Sequence, residues 1–387
     1  MTGDADLGDF CDGLTEDIIT GLSRIKAIHV TARNTTFTYK NRAVNVSAIG
    51  AELGVRYVLE GSVRKSGPRT RVTAQLIETA NGHHIWADRF DCTHDDMFDV
   101  QDDVTRSIVA SVQTQLILHE GRSPLSGATQ DQGVTQLLKR SWRQFLQLRE
   151  DTLAESLALA RQALKHGDDS AMAHHMVAVS IYHQMYLGSI PWTAAAIDEV
   201  SRHASAAIQA EDADEYCHWA MGCAYLLRLE HELALASHRR ALEINPYCSL
   251  ALGSMGSVLA WAGEIKMSIQ KNELALRINP HDPTNYFRHF GLTLANYLEG
   301  SYQPAMTHAR AILQVRPSWW LSQMVCMATL AQLGRSVEAQ RMLAELLRTR
   351  PSLNAAALSL LPFANASDRE HVAKGLQIAG MPAQLPA

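Results

Sequence analysis

The sequence predicts a small α/β domain followed by an all-α superhelix of stacked helical hairpins, an α-solenoid. Hydrophobic and polar residues alternate with a period of two only within residues 57–90, which indicates strands in the first third of the chain. Further on, Pro246, Pro280, Pro317 and Pro351 lie 34, 37 and 34 residues apart. Each period holds two helical segments, so a unit of two helices repeats along the rest of the chain.

The composition argues against several classes of protein. The formal net charge is −5 and the pI is about 6.4, whereas a broad nucleic-acid surface needs clustered Lys and Arg. The six cysteines are scattered, without a Cys-x-x-Cys pair. We therefore expect reduced cysteines, and neither a disulfide framework nor a zinc site.

The apolar runs are too short to span a membrane. The two longest uncharged runs, 247–263 and 318–334, fall short of the ~20 apolar residues that a span needs, and both lie in phase with the repeat. Asp4, Asp6 and Asp9 precede any apolar run, so no secretory signal is expected. These features favour a cytoplasmic location, or a periplasmic one if an upstream membrane anchor belongs to the protein.

The first third of the chain mixes helices and strands. Helices are predicted where apolar residues recur every three or four positions, and strands where they alternate. Turns are predicted where Gly, Pro and Asn cluster. In chain order, the predicted elements are a helix at 10–25, a strand at 27–32, a helix at 46–53 ending at Gly54, a hairpin turning at Ser66-Gly67-Pro68, a strand at 83–90 after Asn81-Gly82, and a helix at 95–118.

Four separated motifs in residues 1–118 resemble the TolB-like domain. They lie at 10–19, 32–37, 54–64 and 85–91. In bacteria this domain commonly precedes tetratricopeptide repeats and follows either a class III adenylate or guanylate cyclase domain or a winged-helix DNA-binding domain. The resemblance therefore implies a signalling or regulatory protein.

This chain departs from the TolB-like pattern at its start. The family domain opens with a hydrophobic strand, whereas this chain begins at the turn that follows it, Met1-Thr2-Gly3-Asp4. A sheet without that strand leaves unpaired backbone groups along an edge. Our hypothesis is that the chain is the C-terminal portion of a longer protein, or that its start lies at an internal Met.

The best-defined repeat runs from Glu215 to Pro246 and resembles the tetratricopeptide repeat. The matching residues are Trp219, Gly222, Tyr225, Ala234, His238, Ala241 and Pro246, and the aromatic of the second helix is missing. Small residues are expected where the two helices touch. A shift in composition to Gly, Ser, Pro, Gln and Asp indicates a linker at 119–132. The repeat pattern predicts about six repeats over 133–351, with a capping helix, near residues 368–378, and a tail at 352–387.

No pattern for catalysis, cofactor binding or metal binding is recognisable in the sequence. Phosphate-binding glycine loops and a nucleophile elbow are absent. His83-His84 and His174-His175 are adjacent pairs whose side chains point in different directions, and the acidic cluster at 95–103 is interpreted as a solvated helix start. We expect no cofactor, no metal and no enzymatic turnover.

The concave face of such a superhelix is lined by the first helix of each repeat, so a partner-binding groove is expected there. Only Arg288 and Asn285 suit capture of a terminal carboxylate. The mostly uncharged groove therefore predicts an apolar or aromatic-compatible partner segment, helical in form, or the N-terminal domain of the same chain. The predicted lining residues are Tyr216, Trp219, Cys223, Leu226, Leu250, Ser257, Trp261, Asn285, Arg288, Met324 and Gln332.

The function predicted from the sequence is non-catalytic. The chain is expected to be a protein–protein interaction and regulatory module of bacterial signalling, whose partner is a cyclase or another signalling protein, with no nucleic acid bound by this chain. Two alternatives stay open. The chain could be the C-terminal regulatory part of a class III adenylate cyclase, or the sensory part of a winged-helix transcription regulator.

Overall fold

The structure, a computed structural model, describes residues 5–26, 28–40, 42–66, 69–92, 97–122, 130–167 and 169–382. The chain divides into two compact units, one ending at Glu120 and the other starting at Gly121. Among the described residues, no helix combines the length and the apolar character needed to cross a membrane.

The first unit contains four helices and one sheet in its described residues. The sheet is antiparallel, in the order β1-β2-β3. The first strand pairs with the second from Tyr57 opposite Glu78 to Ser66 opposite Arg69. The elements are α1 (Ala5–Ser23), α2 (Arg33–Phe37), α3 (Val46–Leu53), β1 (Tyr57–Ser66), β2 (Arg69–Glu78), β3 (His84–Cys92) and α4 (Met97–Glu120).

The core of the first unit lies between the sheet and α4. Val72, Ala74 and Leu76 alternate along β2 and are buried, as the period of two requires. Helix α4 packs against β2 and β3, and α1 packs against α4. With an antiparallel sheet of three described strands and four helices, the small mixed unit of helices and strands expected from the sequence is present in the α+β form.

Most elements predicted in the first unit are present, and one is wrong. The helix predicted at 46–53 forms and ends at Gly54 in the left-handed conformation (φ 68°). Residues 28–32 form no strand, and Ala27 lies outside the described residues. No described strand pairs with this stretch, and the Ile28 amide instead donates to the Ile25 carbonyl in a turn (3.1 Å).

In its described residues, the second unit is a stack of six antiparallel helical hairpins, followed by a short C-terminal part. It confirms the predicted all-α solenoid with tetratricopeptide-like hairpins. The helices are α5 (Gln130–Leu146), α6 (Glu150–Lys165), α7 (Ala171–Leu187), α8 (Ala194–Ala210), α9 (Glu215–Leu227), α10 (His231–Ile244), α11 (Ser249–Trp261), α12 (Ile265–Ile278), α13 (Asn285–Glu299), α14 (Tyr302–Val315), α15 (Trp320–Gln332), α16 (Ser336–Thr349), a 3-10 helix (Ala355–Leu360) and α17 (Ala366–Ile378).

The odd-numbered helices α5 to α15 form the inner layer of the stack. Each packs against the odd-numbered helix of the next hairpin, while the even-numbered helices lie outside. Close approach within a hairpin depends on glycine. Gly222 on α9 faces the ring of His238 on α10, and Gly256 on α11 faces the amide of Asn272 on α12, at the same position one repeat later.

The stack closes on itself. The indole Nε1–H groups of Trp319 and Trp320 both donate to the Tyr186 carbonyl, at 2.9 and 3.0 Å. The Tyr286 hydroxyl donates to the Leu148 carbonyl (2.9 Å). These bonds join the first two hairpins to the fifth and sixth, across more than 130 residues of sequence. The inner helices therefore surround an enclosed interior.

We predict that Gly222→Ala lowers the free energy of unfolding by about 1–3 kcal/mol, although alanine is the better helix former. The new Cβ would lie 2.7 Å from Nδ1 of His238, which is fully buried. Adding His238→Ala to this variant should restore part of the loss, because it makes room. Urea unfolding measures all three proteins, and Gly8→Ala is the control, since nothing lies within 4 Å of its Cβ. Additive losses in the double variant would contradict this contact.

Candidate functional site

The residues predicted to line the groove all lie on inner helices, α9, α11, α13 and α15. Six of them are at most 2 % exposed: Trp219, Cys223, Leu226, Trp261, Arg288 and Met324. The other five are half-buried: Tyr216, Leu250, Ser257, Asn285 and Gln332. The inner face that carries them is therefore largely covered by the chain itself.

Five of the predicted residues surround one small cavity. Trp219, Leu250, Ser257, Trp261 and Arg288 line a space of about 30 Å³. One water molecule needs roughly 10–15 Å³ measured in this way, whereas a ligand pocket starts at roughly 300 Å³. The cavity can hold water but has no room for a peptide.

Trp219 is the centre of an aromatic cluster that fills the interior between hairpins. Its ring lies 6.2 Å from that of Trp142 and 5.7 Å from that of Phe145, both in edge-to-face geometry. Its Nε1–H donates to the Ser254 hydroxyl (2.9 Å). With its apolar surface buried and its one donor satisfied, Trp219 acts as a packing residue of the closed stack.

Arg288 is committed to the protein interior. It forms an ion pair with Asp282 (3.4 Å), and the two side chains are 3 % and 2 % exposed. It also donates to the Ser249 carbonyl (3.0 Å) and to the Thr284 hydroxyl. Its aliphatic part packs over Gly253, where a Cβ would lie 2.7 Å from the Arg288 Nε. Arg288 is therefore already neutralised and does not present a cation to a partner's carboxylate.

Asn285 lies in a different cavity from Arg288. It lines a cleft of about 410 Å³ together with Tyr286 and Arg316. Its side-chain amide donates to the Asn279 carbonyl (2.8 Å), which holds the preceding loop against α13. The two polar residues that the sequence suggested for binding a terminal carboxylate therefore cannot share one ligand.

The inner layer is covered at one end by the C-terminal segment of the same chain. The Ala364 amide donates to the Trp261 carbonyl (3.0 Å), and the Phe363 ring packs edge-on against the Trp261 indole at 4.7 Å. Beyond it, α17 packs against α15 and α13. Val372 and Leu376 face this contact and have no exposed surface.

A glycine and two tyrosines fit α17 closely to the inner layer. The Tyr297 hydroxyl donates to the His371 carbonyl (3.0 Å), and the Tyr302 hydroxyl lies 3.0 Å from His371 Nε2. A Cβ on Gly375 would lie 3.1 Å from the Cα of Ala328 and would also meet the Tyr297 hydroxyl. This part of the inner layer therefore receives a helix that has apolar residues four apart and a small residue beside them.

Two histidines buried in this interior are polar but uncharged. His183 lies on an inner helix, and His238 lies between the two helices of one hairpin. Burial lowers the pKa of His183 to about 4 and that of His238 to about 3. Both rings are neutral at neutral pH because the charged form would lose its hydration.

Sequence reasoning predicted a helix near residues 368–378 but not its role. The helix was expected only to cap the stack, whereas α17 packs against α13 and α15 of the inner layer. The available signal was the pair Val372 and Leu376, one helical turn apart, followed by the Gly380 helix stop (φ 92°). The pattern identifies an amphipathic helix but does not identify the surface that buries it.

Two comparisons with known protein sequences give matches. A family model described as the second domain of HilA/YgeH-like transcriptional regulators matches residues 5–108, and the TolB-like assignment is not confirmed. A protein called putative adenylate cyclase 3, from Rhizobium meliloti (strain 1021), is 38% identical over 194 residues, which is 49% of this chain. The chain spans about a third of the length of this curated relative (33%).

Solved structures similar to the chain are helical repeat proteins with low sequence identity. The Pseudomonas aeruginosa protein pilF is 16% identical and covers 58% of this chain and 95% of its own, with a TM-score of 0.40. A tetratricopeptide repeat protein from Parabacteroides merdae ATCC 43184 is 13% identical and covers 64% of this chain and 98% of its own, with a TM-score of 0.36.

We predict that Arg288→Met lowers the free energy of unfolding by about 3–5 kcal/mol, because it leaves the Asp282 carboxylate buried without its cation. The double variant with Asp282→Asn should lose less than the sum of the two single variants. Arg348→Met, at a pair with Glu345 whose side chains are 71% and 62% exposed, is the control and should cost about 1 kcal/mol or less. Equal losses at the buried and the exposed pair, measured by urea unfolding, would refute the interior role of Arg288.

Proposed function

We propose that this chain is a non-catalytic interaction module of bacterial signalling that binds a helical segment of a partner protein on the inner layer of its hairpin stack. The observation that carries the proposal is the position of α17. That helix shows that the surface formed by α13 and α15 accommodates a helix. The proposed partner helix takes the same place after α17 leaves it.

The chemistry of the surface defines the partner segment. Val372 and Leu376 are buried four residues apart, and Gly375 allows the backbone to approach Ala328. A competing helix therefore needs two apolar residues at positions i and i+4, with a small residue at i+3. This is recognition of an amphipathic helix in an apolar groove.

The C-terminal segment is covalently joined to the stack and competes with any partner helix for this surface. It is joined to the stack through residues 350–365, so its effective concentration at the surface is high. A free peptide must overcome that concentration. A partner that also contacts other parts of the chain can do so, which makes binding selective for the intended protein.

The parent protein is proposed to be a class III adenylate cyclase, with this chain as a regulatory part that lies outside the catalytic domain. The relative named putative adenylate cyclase 3 supports this proposal, since the similarity covers 49% of this chain but only 33% of the relative. Turnover is then assigned to a separate part of the parent protein. We place the module in the cytoplasm, where the nucleotide substrate of such an enzyme is found.

A second candidate follows from the family model at residues 5–108. Its description names a transcriptional regulator, which favours the sensory part of a winged-helix regulator as the alternative. In that protein the DNA-binding surface would belong to another domain, because the net charge of this chain is −5.

The helix-binding proposal predicts that the chain binds its own C-terminal segment when the two are separated. A variant ending at Ser352 should bind a fluorescent peptide of residues 353–382 saturably, and the intact chain should bind it at least about tenfold more weakly because its site is filled. Fluorescence anisotropy measures both affinities, and circular dichroism checks that the shortened variant keeps its helices.

The matched control is the same peptide with Val372→Asp and Leu376→Asp, which should not bind. Two outcomes would contradict the proposal. One is a folded shortened variant that fails to bind the natural peptide. The other is equal binding by the shortened and the intact chain, which would locate the peptide on another surface.

The cyclase proposal predicts a change in cyclic AMP synthesis when the intact chain is added in trans to the catalytic domain of a class III cyclase. The rate should change saturably, by several-fold, and the peptide of residues 353–382 should modulate the effect. An unchanged rate at saturating concentration contradicts the cyclase version. Association with a winged-helix domain in a two-hybrid assay would then favour the regulator.

A further inference from the structure

Three potential metal ligands meet between the second and third hairpins. His175 lies on α7, Asp214 precedes the first residue of α9, and Cys217 lies in the first turn of α9. One ligand atom of each, a ring nitrogen, a carboxylate oxygen and the thiol sulfur, lies within 4.8 Å of the other two. Within the described residues this is the one such group of three or more.

The His175 ring provides a second, independent indication that this group of residues binds a ligand. The residue is 2 % exposed, and neither ring nitrogen forms a hydrogen bond of normal geometry with any described group. The Ala171 carbonyl lies near the ring and favours its protonated form. A buried polar group without a partner destabilises the fold. Trp142 and Tyr216 pack around the ring at 5.3 and 5.8 Å and cannot satisfy both nitrogens.

Asp214 can serve the helix and a cation together. One of its oxygens, Oδ1, accepts from the Tyr216 amide (2.8 Å) as the N-cap of α9. A carboxylate has a second oxygen, so capping does not prevent coordination. The cap also fixes the carboxylate beside the first turn of the helix, where Cys217 lies.

Cys217 supplies the soft ligand of the group. It is buried at 0% exposure, so no substrate can reach its sulfur, and a role as catalytic nucleophile is excluded. It lies in the first turn of α9, where the positive end of the helix dipole favours an anionic ligand.

We propose that His175, Asp214 and Cys217 bind Zn²⁺. Thiolate, imidazole and carboxylate are the three ligand types of zinc sites, whereas Ca²⁺ and Mg²⁺ prefer oxygen alone. Asp214 is half-buried, whereas His175 and Cys217 are buried. The site connects the second hairpin to the third, next to the aromatic cluster around Trp219.

The protonation state of His175 suits this role. Burial lowers the pKa of its ring to about 4, so the imidazole is neutral at neutral pH and can donate a lone pair. Metal binding needs the neutral form, and it would also give a buried nitrogen the partner that it lacks. Since α7 and α9 are adjacent inner helices, zinc would hold two repeats together.

The test is a zinc measurement on the intact chain. We expect one zinc ion per chain by plasma mass spectrometry after dialysis against metal-free buffer. Cobalt substitution should give the visible bands of a tetrahedral site and a thiolate charge-transfer band. The variants Cys217→Ser and His175→Gln should weaken zinc binding at least about tenfold and lose the charge-transfer band or change the visible bands.

Matched controls separate coordination from folding. Asp214→Asn keeps an N-cap residue and should weaken zinc binding while preserving the melting temperature of the metal-free protein. Cys223→Ser and His238→Gln alter a cysteine and a histidine that are equally buried but lie outside the group, and should leave zinc binding unchanged.

Two results would overturn the proposal. The first is a wild-type chain that binds neither zinc nor cobalt at one equivalent. The second is a loss of binding in Cys223→Ser and His238→Gln as large as in Cys217→Ser and His175→Gln, which would show a general effect on folding. A zinc-dependent rise in melting temperature that disappears in Asp214→Asn would support the proposal independently.

Discussion

The enclosed interior of the hairpin stack depends on hydrogen bonds that join its first two hairpins to its last two. Tyr186 lies in the last turn of α7, where helix carbonyls have no partner within their own helix. The indoles of Trp319 and Trp320 supply two donors to its carbonyl, and Tyr286 supplies one to Leu148, which adopts a left-handed conformation (φ 46°). A solenoid that in isolation would expose a concave groove is thereby closed, and aromatic side chains fill it.

The closure of the hairpin stack limits where a partner can bind. The interior around Trp219 and Arg288 holds a cavity of about 30 Å³, so partner recognition there would require the stack to open. The end of the inner layer near Trp261 and Tyr297 is covered by the C-terminal segment, which is held there by hydrogen bonds from Ala364 to Trp261 and from Tyr297 to His371. The proposed zinc site lies within the closed part, and the proposed partner site lies at the end covered by α17.

The sequence identified the repeating elements better than their contacts. Proline spacing and small residues such as Gly222 predicted the hairpins and their inner helices, because those patterns are local. The contacts of Tyr286 with Leu148, and of Trp319 with Tyr186, depend on how distant repeats meet, and no local spacing encodes them. The same reason hides the group of His175 and Cys217, which come from different hairpins. The strand predicted at 27–32 is wrong because an apolar run specifies burial and not a strand partner.

Hydrogen exchange on the intact chain, followed amide by amide, tests most directly whether the C-terminal segment is a replaceable occupant of the inner layer. The account predicts that the amides of α17 and of Ala364 exchange through a local opening, with protection clearly below that of α15, which stays closed. If α17 and α15 exchange only together, at the free energy of global unfolding, the segment is a permanent part of the core. That result would contradict the proposed helix-binding function.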